Sequence, residues 1–516
     1  MSRGLVSAAA PQSKGQQRSR LAPWTQTPIW LKVIALLTAL ATFTITLRPL
    51  PNLLWHPFIE DAYYSLTVSR NLALGNGLTI DGETWTNGFQ PLTTIVYSLP
   101  FLGPQPVEET LRIILILQWL AMIATGVLIG LIVRTYLEGS QGSKYAFAAG
   151  FLAYIGSFYA INTALNGLET GTLLLGYAVL WRFLQTRGLD TARNAVWFGL
   201  IAGLVGLIRI DSLISTAVLL LGVLFVYGFR SAVTAGLVTA LVVSPWILYG
   251  FLLTGNPIPS SGRAQTAIEF SSFRFDRILE AASATGFPWL PISTLIPSAS
   301  TWIRLALIGV LVLVFLRLRR QLTNTDTKRR TELFALLLSV SVAMLATYYG
   351  ITSFASWFYG RYLSPLLLVA AFLLATVLVL AGRMITAVGT IALTALALAA
   401  SVAHWLTGFY QENTMLTEQV ALVQRTVPPS ESVAAFQTGT LGFFKPGTIN
   451  LDGKVNSEVL EFDGTVDDYL RLRSVEWMCD WPRQLEDSLG EDLAGWSIVS
   501  TEGEFACAYR SLAGVQ

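Results

Sequence analysis

Two adjacent carboxylates, Glu60 and Asp61, are the residues of this 516-residue chain that are best placed for acid–base chemistry. The chain has only two histidines and two cysteines, so zinc clusters, Cys–His nucleophile pairs and Ser–His–Asp triads lack their parts. Acid–base catalysis must therefore fall to carboxylates. The structural alternative is that the pair merely caps a helix and favours its dipole.

Further charged residues beside long apolar segments could act with this pair. Glu169 stands at the start of one segment, Arg209 and Asp211 lie between two others, and Arg361 opens another. A charge at the bilayer centre costs about 2.5 to 3.5 kcal/mol, so such residues stay near an interface, pair up or line a cavity. Arg209 could equally form a plain structural pair with Asp211 or Glu169.

Cations that suit a phosphate occur in a loop of turn residues after residue 253. Arg263 is the first of three arginines there, followed by Arg274 and Arg277. A guanidinium fork matches phosphate oxygens bidentately, so this loop suits an anionic headgroup or a phosphate. The alternative is a solvated loop that touches lipid headgroups.

The composition indicates which elements position these residues. The chain is 53% hydrophobic and 13% charged, whereas soluble domains carry about 25% charged residues, which excludes a conventional soluble enzyme. A bilayer core needs about 20 mostly apolar residues per helix. Eleven membrane segments are predicted, near residues 31–47, 111–134, 145–162, 167–184, 195–208, 210–229, 231–253, 299–317, 332–352, 362–381 and 384–406.

Positive charges set the predicted topology in the cell membrane. With a cytoplasmic N-terminus, every short basic loop, including the cluster at 317–330, falls on the inner side. Eleven crossings then place the C-terminal domain outside. The apolar stretch 91–102 is too short to cross comfortably, and we expect it to be interfacial or re-entrant. A signal peptide in residues 20–41 is a minor alternative.

The distribution of charge along the chain indicates a basic N-terminal part and an acidic C-terminal domain. Residues 409–516 hold 7 Lys+Arg against 17 Asp+Glu, which leaves 27 against 15 in the first 408 residues. The predicted domains are a disordered cytoplasmic tail (1–29), a helical membrane domain (30–407) with long outer loops (48–110 and 254–298), and an extracytoplasmic soluble domain (408–516). Short β-rich runs at 432–436 and 448–451, followed by helical stretches, predict a small α/β fold for the outer domain.

Two local features of these outer segments are predicted. In the first loop, apolar or aromatic residues at positions 63, 66, 68 and 72 suit an amphipathic surface helix that begins at the acidic pair and ends at Gly75.

In the outer domain, a disulfide between Cys479 and Cys507 would stabilise the fold by roughly 3 to 4 kcal/mol. Two unpaired buried thiols are the alternative.

The first outer loop resembles the GT-C superfamily of integral membrane glycosyltransferases, which includes protein O-mannosyltransferases, the aminoarabinose transferase of lipid A and mycobacterial arabinofuranosyltransferases. Glu-Asp-Ala-Tyr-Tyr at 60–64, Arg-Asn-Leu at 70–72 and Gly-Asn-Gly at 75–77 are similar to the family's pattern. Thr-Asn-Gly-Phe-Gln-Pro-Leu at 86–92 resembles the segment that closes this loop in many bacterial members. Weaker matches lie at 167–170, 209–211, 361–362, 439–444 and 450–456.

The resemblance implies an all-α polytopic bundle with a small outer domain, and transfer of a sugar from a polyprenyl-phosphate donor to a hydroxyl of a glycan, lipid or protein. This chemistry needs one base, because the phosphate leaves as a stabilised anion without a general acid. A glycosidase needs two carboxylates. Asp61 or Glu60 is the expected base, with inversion at the sugar. The family usually has Asp at the first position of the pair, where this chain has Glu60. Because of this difference, either Glu60 or Asp61 could be the reactive carboxylate.

The resemblance also implies roles for other residues. Arg361 or Arg263 would bind the donor phosphate and stabilise its developing charge. The expected pocket residues are Tyr63, Asn87, Gln90, Glu169, Arg209, Asp211 and Tyr362. No cofactor is assigned with certainty. The residues themselves leave a divalent metal as a minor alternative: His56 and Glu60 are four apart, as ligands on one helix would be, but Pro57 lies between them. Membrane lipids are expected partners and nucleic acid is not.

Two rival functions use the same composition. A transporter or flippase of lipid-linked or envelope glycans would also be an apolar bundle with polar residues near a cavity. Transporters tend to be built from internal repeats, and the sequence contains no convincing repeat. A non-catalytic protein of envelope assembly is the third interpretation.

Overall fold

The computed structural model describes residues 23–54, 56–266, 274–290, 299–353, 356, 359–406, 414–490 and 493–510. A helical part up to Trp405 precedes a smaller part built on a five-stranded sheet. Most of the predicted cytoplasmic tail (1–22) and parts of the second outer loop (267–273 and 291–298) lie outside the described residues.

The first part consists of helices of very different lengths. In chain order they are α1 (Pro23–Gln26), α2 (Ile29–Phe43), α3 (Leu50–Leu53), α4 (Glu60–Ala73), α5 (Pro91–Phe101), α6 (Val107–Tyr136), α7 (Ser143–Ile155), α8 (Phe158–Ala164), α9 (Thr170–Arg187), α10 (Ala192–Ile208), α11 (Ser212–Tyr227), α12 (Phe229–Thr254), α13 (Ser260–Thr266), α14 (Phe275–Gly286), α15 (Ser300–Leu318), α16 (Asp326–Thr352), α17 (Tyr359–Tyr362), α18 (Leu366–Leu380) and α19 (Arg383–Trp405). Short 3₁₀ helices follow α2 (Thr44–Leu47) and α15 (Arg319–Gln321).

The helical part is a polytopic membrane bundle. Six of the described helices are long and apolar enough to cross a membrane, and a seventh span results if α7 and α8, bent by 62°, are taken together. The other predicted segments correspond to α9 and to three shorter apolar helices, α10, α11 and α18. All eleven segments are thus helical, and the number that crosses the bilayer stays a prediction.

The predicted surface elements of the first loop are also helical. Helix α4 begins at Glu60 and ends at Ala73, before Gly75 with φ +85°, as the sequence predicts. Helix α5 has 11 residues, or about 16 Å at 1.5 Å per residue. This length is about half of the hydrocarbon thickness of a bilayer, in agreement with the prediction that residues 91–102 do not cross.

Small residues let the central helices pack closely. A Cβ atom at Gly130 of α6 would lie 2.6 Å from the Phe147 carbonyl oxygen of α7, and one at Gly150 would lie 2.9 Å from the Gly130 Cα. Such close backbone approach favours van der Waals packing, which stabilises helix pairs in a membrane where the hydrophobic effect between helices is weak. The resulting core buries Trp181, Tyr136 and Phe372.

The second part is a small α/β domain. Its strands are β1 (Val433–Ala435), β2 (Thr448–Asn450), β3 (Trp477–Asp480), β4 (Ser497–Glu502) and β5 (Phe505–Tyr509), in the order β2-β1-β3-β5-β4. Strand β1 is parallel to β2 and β3, whereas β5 is antiparallel to β3 and β4. Its helices are α20 (Thr414–Thr426), α21 (Gly439–Phe444), α22 (Ser457–Glu461), α23 (Val466–Leu472) and α24 (Pro482–Leu489), with a 3₁₀ turn at Leu493–Gly495. The sequence predicts this α/β class and the first two strands correctly.

A disulfide joins Cys479 in β3 to Cys507 in β5, across a sequence separation of 28 residues. We expect the double variant Cys479→Ala, Cys507→Ala to lower the free energy of unfolding of this domain by about 3 to 4 kcal/mol, because the unfolded chain regains the entropy of an open loop. Hydrogen exchange of the β3 and β5 amides measures this loss. Wild-type protein treated with reductant should reproduce it, and unchanged exchange in both samples would contradict the prediction.

The α/β domain contacts the helical part at the two predicted outer loops. Gly439 N–H donates to Glu60 in the first loop, and the Ser260 hydroxyl of α13 donates to the Lys454 carbonyl at 2.9 Å. The predicted inner loops contact one another instead, as in the pair of Arg330 with Asp190 at 3.3 Å. The contacts therefore group the loops as the predicted topology does, and which group faces the cytoplasm stays a prediction.

Candidate functional site

The two carboxylates at the start of α4 point to different partners. Glu60 is held by the first residues of α21: the N–H groups of Gly439 and Thr440 donate to its carboxylate at 2.7 and 2.9 Å, and the Thr440 hydroxyl also donates to it. Burial raises the pKa of Glu60 above its ordinary value, although these hydrogen bonds act in the opposite direction. Glu60 thus joins the two parts of the molecule.

Glycine is required where Glu60 meets α21. A Cβ atom at Gly439 would lie 2.3 Å from the Glu60 carbonyl oxygen and 2.7 Å from Oε1. Any side chain there would push α21 away from α4 and break the backbone hydrogen bonds to the carboxylate. The Gly-Thr pair at 439–440 is therefore a docking point for Glu60, which accounts for this part of the predicted 439–444 motif.

Asp61 lies on the wall of a cavity of about 440 Å³. Its Oδ2 atom is 3.3 Å from Nη1 of Arg361 in α17, and the Asp61 side chain is 19% exposed. The remaining groups of the cavity wall come from both outer loops, from α11, α12, α16 and α17, from the break between α10 and α11, and from the α/β domain. The described residues on the wall are Asp61, Tyr64, Ser65, Gly88, Phe89, Gln90, Arg209, Ile210, Asp211, Ile214, Ile247, Pro257, Ile258, Pro259, Ser261, Gly262, Gln265, Tyr348, Tyr349, Thr352, Ser353, Arg361, Tyr362, Lys454 and Val455.

Arg361 belongs to a largely buried network of charges beside this cavity. Its Nη2 donates to Glu169 Oε1 and Oε2 at 2.8 and 3.1 Å, and its Nη1 reaches Asp61. Arg209 Nε lies 3.5 Å from Glu169 Oε1, and the Arg209 guanidinium makes a bidentate pair with Asp211. The carboxylates compensate the desolvation of both guanidinium groups, so the network can hold two arginines in a fixed position.

Neighbouring helices fix this network in place. Glu169 is the residue before α9, and the preceding turn is held by Gln118 of α6, whose Oε1 accepts from Gly167 N at 3.0 Å and whose Nε2 donates to the Leu168 carbonyl at 2.8 Å. Arg209 and Asp211 stand in the break between α10 and α11, where the Ile210 N–H donates to Gln90 Oε1 at 3.2 Å. The charged residues Glu169, Arg209 and Asp211 thus lie at breaks between helices rather than inside them.

Two tyrosines complete the wall around Asp211. The Tyr349 hydroxyl donates to the Asp211 carboxylate, and the Tyr349 ring stacks on Tyr362 with ring centroids 3.6 Å apart. The Arg209 guanidinium lies beside this stack, 4.9 Å from the Tyr362 centroid. Tyr362 is one of the pocket residues that the sequence predicts, whereas no motif points to Tyr349, which lies inside the apolar segment of α16.

Most of the predicted pocket residues lie at the cavity, whereas Tyr63 and Asn87 do not line it. Asp61, Gln90, Arg209, Asp211, Arg361 and Tyr362 line the cavity, and Glu169 lies behind Arg361. Tyr63 is buried on the other side of α4, where its hydroxyl donates to the Leu54 carbonyl. Asn87 Oδ1 accepts from Ser260 N at 3.0 Å and so fixes the second outer loop.

Arg263 lies apart from the cavity wall. Its Nη1 is 3.1 Å from Glu461 Oε1 of α22, so it contributes to the contact between α13 and the α/β domain. In contrast, Lys454 of the α/β domain does line the cavity. In the sequence, only the weak family match at 450–456 indicates this residue. Between the two predicted phosphate ligands, the geometry favours Arg361.

A second cavity of about 380 Å³ lies on the Glu60 side of α4. Both histidines line it: His56 Nε2 is 2.7 Å from His404 Nδ1, and His404 Nε2 is 2.8 Å from Asn162 Oδ1. The Glu60 carboxylate is engaged by α21, as described above. Within the described ranges, no three His, Cys, Asp or Glu side chains form a group that could hold a metal ion, so the His56 and Glu60 alternative gains no third ligand there.

An apolar groove adjoins the first cavity between α11 and α12. It has a volume of about 580 Å³ and shares Ile247 and Pro257 with the cavity wall. Its lining is almost entirely apolar; the described residues are Leu213, Thr216, Ala217, Leu220, Gly236, Thr239, Ala240, Val243, Ser244, Ile247, Leu248, Phe251 and Pro257. A ligand with a polar head and a long apolar chain fits such a continuous pair of sites.

Comparison with known proteins identifies the fold. No family model and no curated protein sequence matches the chain. The structure is similar to that of ArnT from Cupriavidus metallidurans bound to undecaprenyl phosphate, with a TM-score of 0.62, 11% identity, and coverage of 93% of this chain and 98% of that one. The apo state of the same protein gives a TM-score of 0.60 at 12% identity, with the same coverage. The GT-C fold expected from the first loop is therefore confirmed.

Proposed function

We propose that this protein transfers a sugar from a polyprenyl-phosphate donor to an acceptor hydroxyl at the outer face of the cell membrane. The observation that carries the proposal is the placement of the Asp61 carboxylate on a polar cavity beside Arg361, with an apolar groove continuing from that cavity. The shared fold with a protein that binds undecaprenyl phosphate supports this donor class.

Asp61 is the proposed base. It accepts the proton of the acceptor hydroxyl, whose oxygen forms a bond to the anomeric carbon while the bond from that carbon to the phosphate oxygen breaks. The bonding electron pair leaves with the phosphate, which needs no general acid because it is a stable anion. Attack opposite the leaving group inverts the anomeric centre. Glu60 is unsuited to this role because three donors of α21 already occupy its carboxylate.

Arg361 is the proposed electrostatic partner of the leaving phosphate. Its guanidinium faces the cavity beside Asp61 and is held from behind by Glu169. A cation fixed in advance where charge develops stabilises the transition state more than a mobile one, because no reorganisation is needed during the reaction. Arg209, Asp211, Gln90 and Tyr362 would then shape the pocket around the sugar.

The groove between α11 and α12 is the proposed site of the prenyl chain. We expect Gly236→Trp to raise the KM for a long-chain donor by about 10-fold or more, because a Cβ at Gly236 meets only Leu220 Cδ1, at 3.8 Å, and a large ring there would fill the groove. The KM for a donor with a short chain of two or three isoprene units should change little.

A matched control for this test is Phe225→Trp, because Phe225 is 84% exposed on the same helix pair and lies off the groove. Kinetics with long and short donors, measured for both variants, compare the two positions. An equal effect of Gly236→Trp on both donors would argue against a prenyl chain in the groove.

The rival function is a transporter or flippase. Purified protein, given polyprenyl-phosphate sugars and candidate hydroxyl acceptors, should release free lipid phosphate if the enzyme proposal holds. Movement of labelled lipid-linked sugar across proteoliposomes without release of lipid phosphate would favour the transporter. The mass spectrum of envelope glycans lost on deletion of the protein would identify the sugar and the acceptor.

A further inference from the structure

Lys454 is a cation of the α/β domain that lies on the wall of the cavity of the helical part. It follows β2 in a turn at Gly453, which has φ +75°. Its Nζ is 3.0 Å from Asp452 Oδ2 and 5.7 Å from the centroid of the Tyr64 ring. Tyr64 and Asp61 lie on the same helix and line the same cavity, so this side chain faces the proposed reaction centre.

The two outer loops hold the backbone of Lys454 between them. The Ser260 hydroxyl of α13 donates to the Lys454 carbonyl at 2.9 Å. On the other side, a Cβ atom at Gly88 would lie 1.9 Å from that same carbonyl oxygen, so only glycine permits the approach of the first loop. Asn87, the neighbour of Gly88, in turn accepts from Ser260 N. This three-way contact fixes the position of the lysine relative to the cavity.

The charge balance of the cavity gives Lys454 a distinct role. The guanidinium groups of Arg361 and Arg209 are each paired with two carboxylates, whereas the one ion pair of Lys454 within the described residues is with Asp452. Without Lys454, these two arginines would face four carboxylates, those of Asp61, Glu169, Asp211 and Asp452. Lys454 brings the sum of these charges from −2 to −1, so it lowers the electrostatic repulsion that a phosphate meets at this cavity.

The lysine is charged at neutral pH. Burial alone would lower the pKa of Lys454, but the carboxylates of Asp452 and Asp61 outweigh it and raise the pKa above its ordinary value. An ammonium group has three N–H donors, so it can keep its pair with Asp452 and still donate to a phosphate oxygen.

We propose that Lys454 binds the phosphate group of the lipid donor and of the lipid phosphate product, so that the α/β domain completes the donor site. This inference rests on the proposed function. The donor is a phosphodiester with one negative charge, whereas the lipid phosphate product carries up to two. The added charge appears on the phosphate when the bond to the sugar breaks, and Lys454 would stabilise it together with Arg361.

Binding of decaprenyl phosphate to the full-length protein in detergent tests this inference without any need for turnover. We expect Lys454→Met to weaken binding by about 10-fold to 100-fold, as for loss of a hydrogen bond to a charged group, and Lys454→Arg to retain most of the affinity. Decaprenol, which lacks the phosphate, should bind wild type and Lys454→Met equally.

The matched control is Arg483→Met, which removes a cation from the same domain where the side chain is 91% exposed. It should bind decaprenyl phosphate like wild type. If Lys454→Met does not fold, Lys454→Gln carries the same test, with Lys454→Arg as the charge-retaining comparison. Inorganic phosphate should compete only weakly; Lys454-dependent binding of inorganic phosphate as tight as that of decaprenyl phosphate would overturn the lipid assignment.

Two failures of this experiment are distinguishable. If wild type binds decaprenyl phosphate and Lys454→Met binds it equally well, the role of Lys454 is wrong and the proposed function stands. If wild type does not bind decaprenyl phosphate more tightly than decaprenol, the proposed donor class is wrong, and the inference fails with it.

Discussion

Asp61→Asn is expected to reduce sugar transfer by about 10²-fold to 10⁴-fold, the range typical for loss of a positioned general base. The amide keeps the shape of the carboxylate, and its oxygen can still contact Arg361, so binding of the donor should be largely retained. The loss should therefore appear in kcat for the transfer step, with a smaller change in the KM for the donor. Single-turnover release of lipid phosphate measures the affected step directly.

The matched control for Asp61→Asn is Glu60→Gln, a change of the same kind at the adjacent residue. Its amide group would face the N–H donors of Gly439 and Thr440, so we expect a lower thermal stability from weaker docking of the α/β domain, and transfer within about 10-fold of wild type. Turnover that survives in Asp61→Asn and is lost in Glu60→Gln would assign the base to Glu60 instead.

Arg361→Gln is expected to lower kcat by about 10²-fold to 10³-fold, because the leaving phosphate loses a fixed cation. The same change also leaves Glu169, whose side chain is 3% exposed, with a longer contact to Arg209 as its ion pair. Breaking a buried pair costs about 3 to 5 kcal/mol, so a lower stability of the variant could itself reduce activity.

The double variant Arg361→Gln, Glu169→Gln separates the two effects. With the buried carboxylate neutralised, the melting temperature should recover towards that of wild type, while kcat should stay low because the cation is still missing. Measurement of both quantities on both variants makes the comparison complete. Recovery of turnover together with stability would mean that Arg361 only supports the fold.

The sequence predicts the elements of this molecule better than the partners of its side chains. Helix α4 could be located because its acidic start, its apolar spacing and the turn at Gly75 are all local features. The roles of Glu60 and Asp61 could not be separated, because the donors that occupy Glu60 lie 379 and 380 residues further along the chain. A contact of that separation leaves no periodic signal in a single sequence.

The same limit explains the other differences at the site. Arg263 and Lys454 are both cations near turn residues, and only the docking of the α/β domain directs one to Glu461 and the other to the cavity. Asn87 lies in a motif of the first loop, yet it supports the loop that carries Ser260. In contrast, Arg361, Arg209 and Asp211 could be selected because charges beside apolar segments are costly unless they pair or line a cavity.

The most direct test of sugar transfer by this protein is the product ratio in proteoliposomes that contain purified protein, a labelled polyprenyl-phosphate sugar and the acceptor fraction of the envelope. Wild type should form one glycoside, with inverted anomeric configuration, for each lipid phosphate released, and Asp61→Asn should form neither product at a comparable rate. Movement of the intact labelled lipid across the bilayer, with no glycoside formed and equal rates in both proteins, would contradict the proposed function.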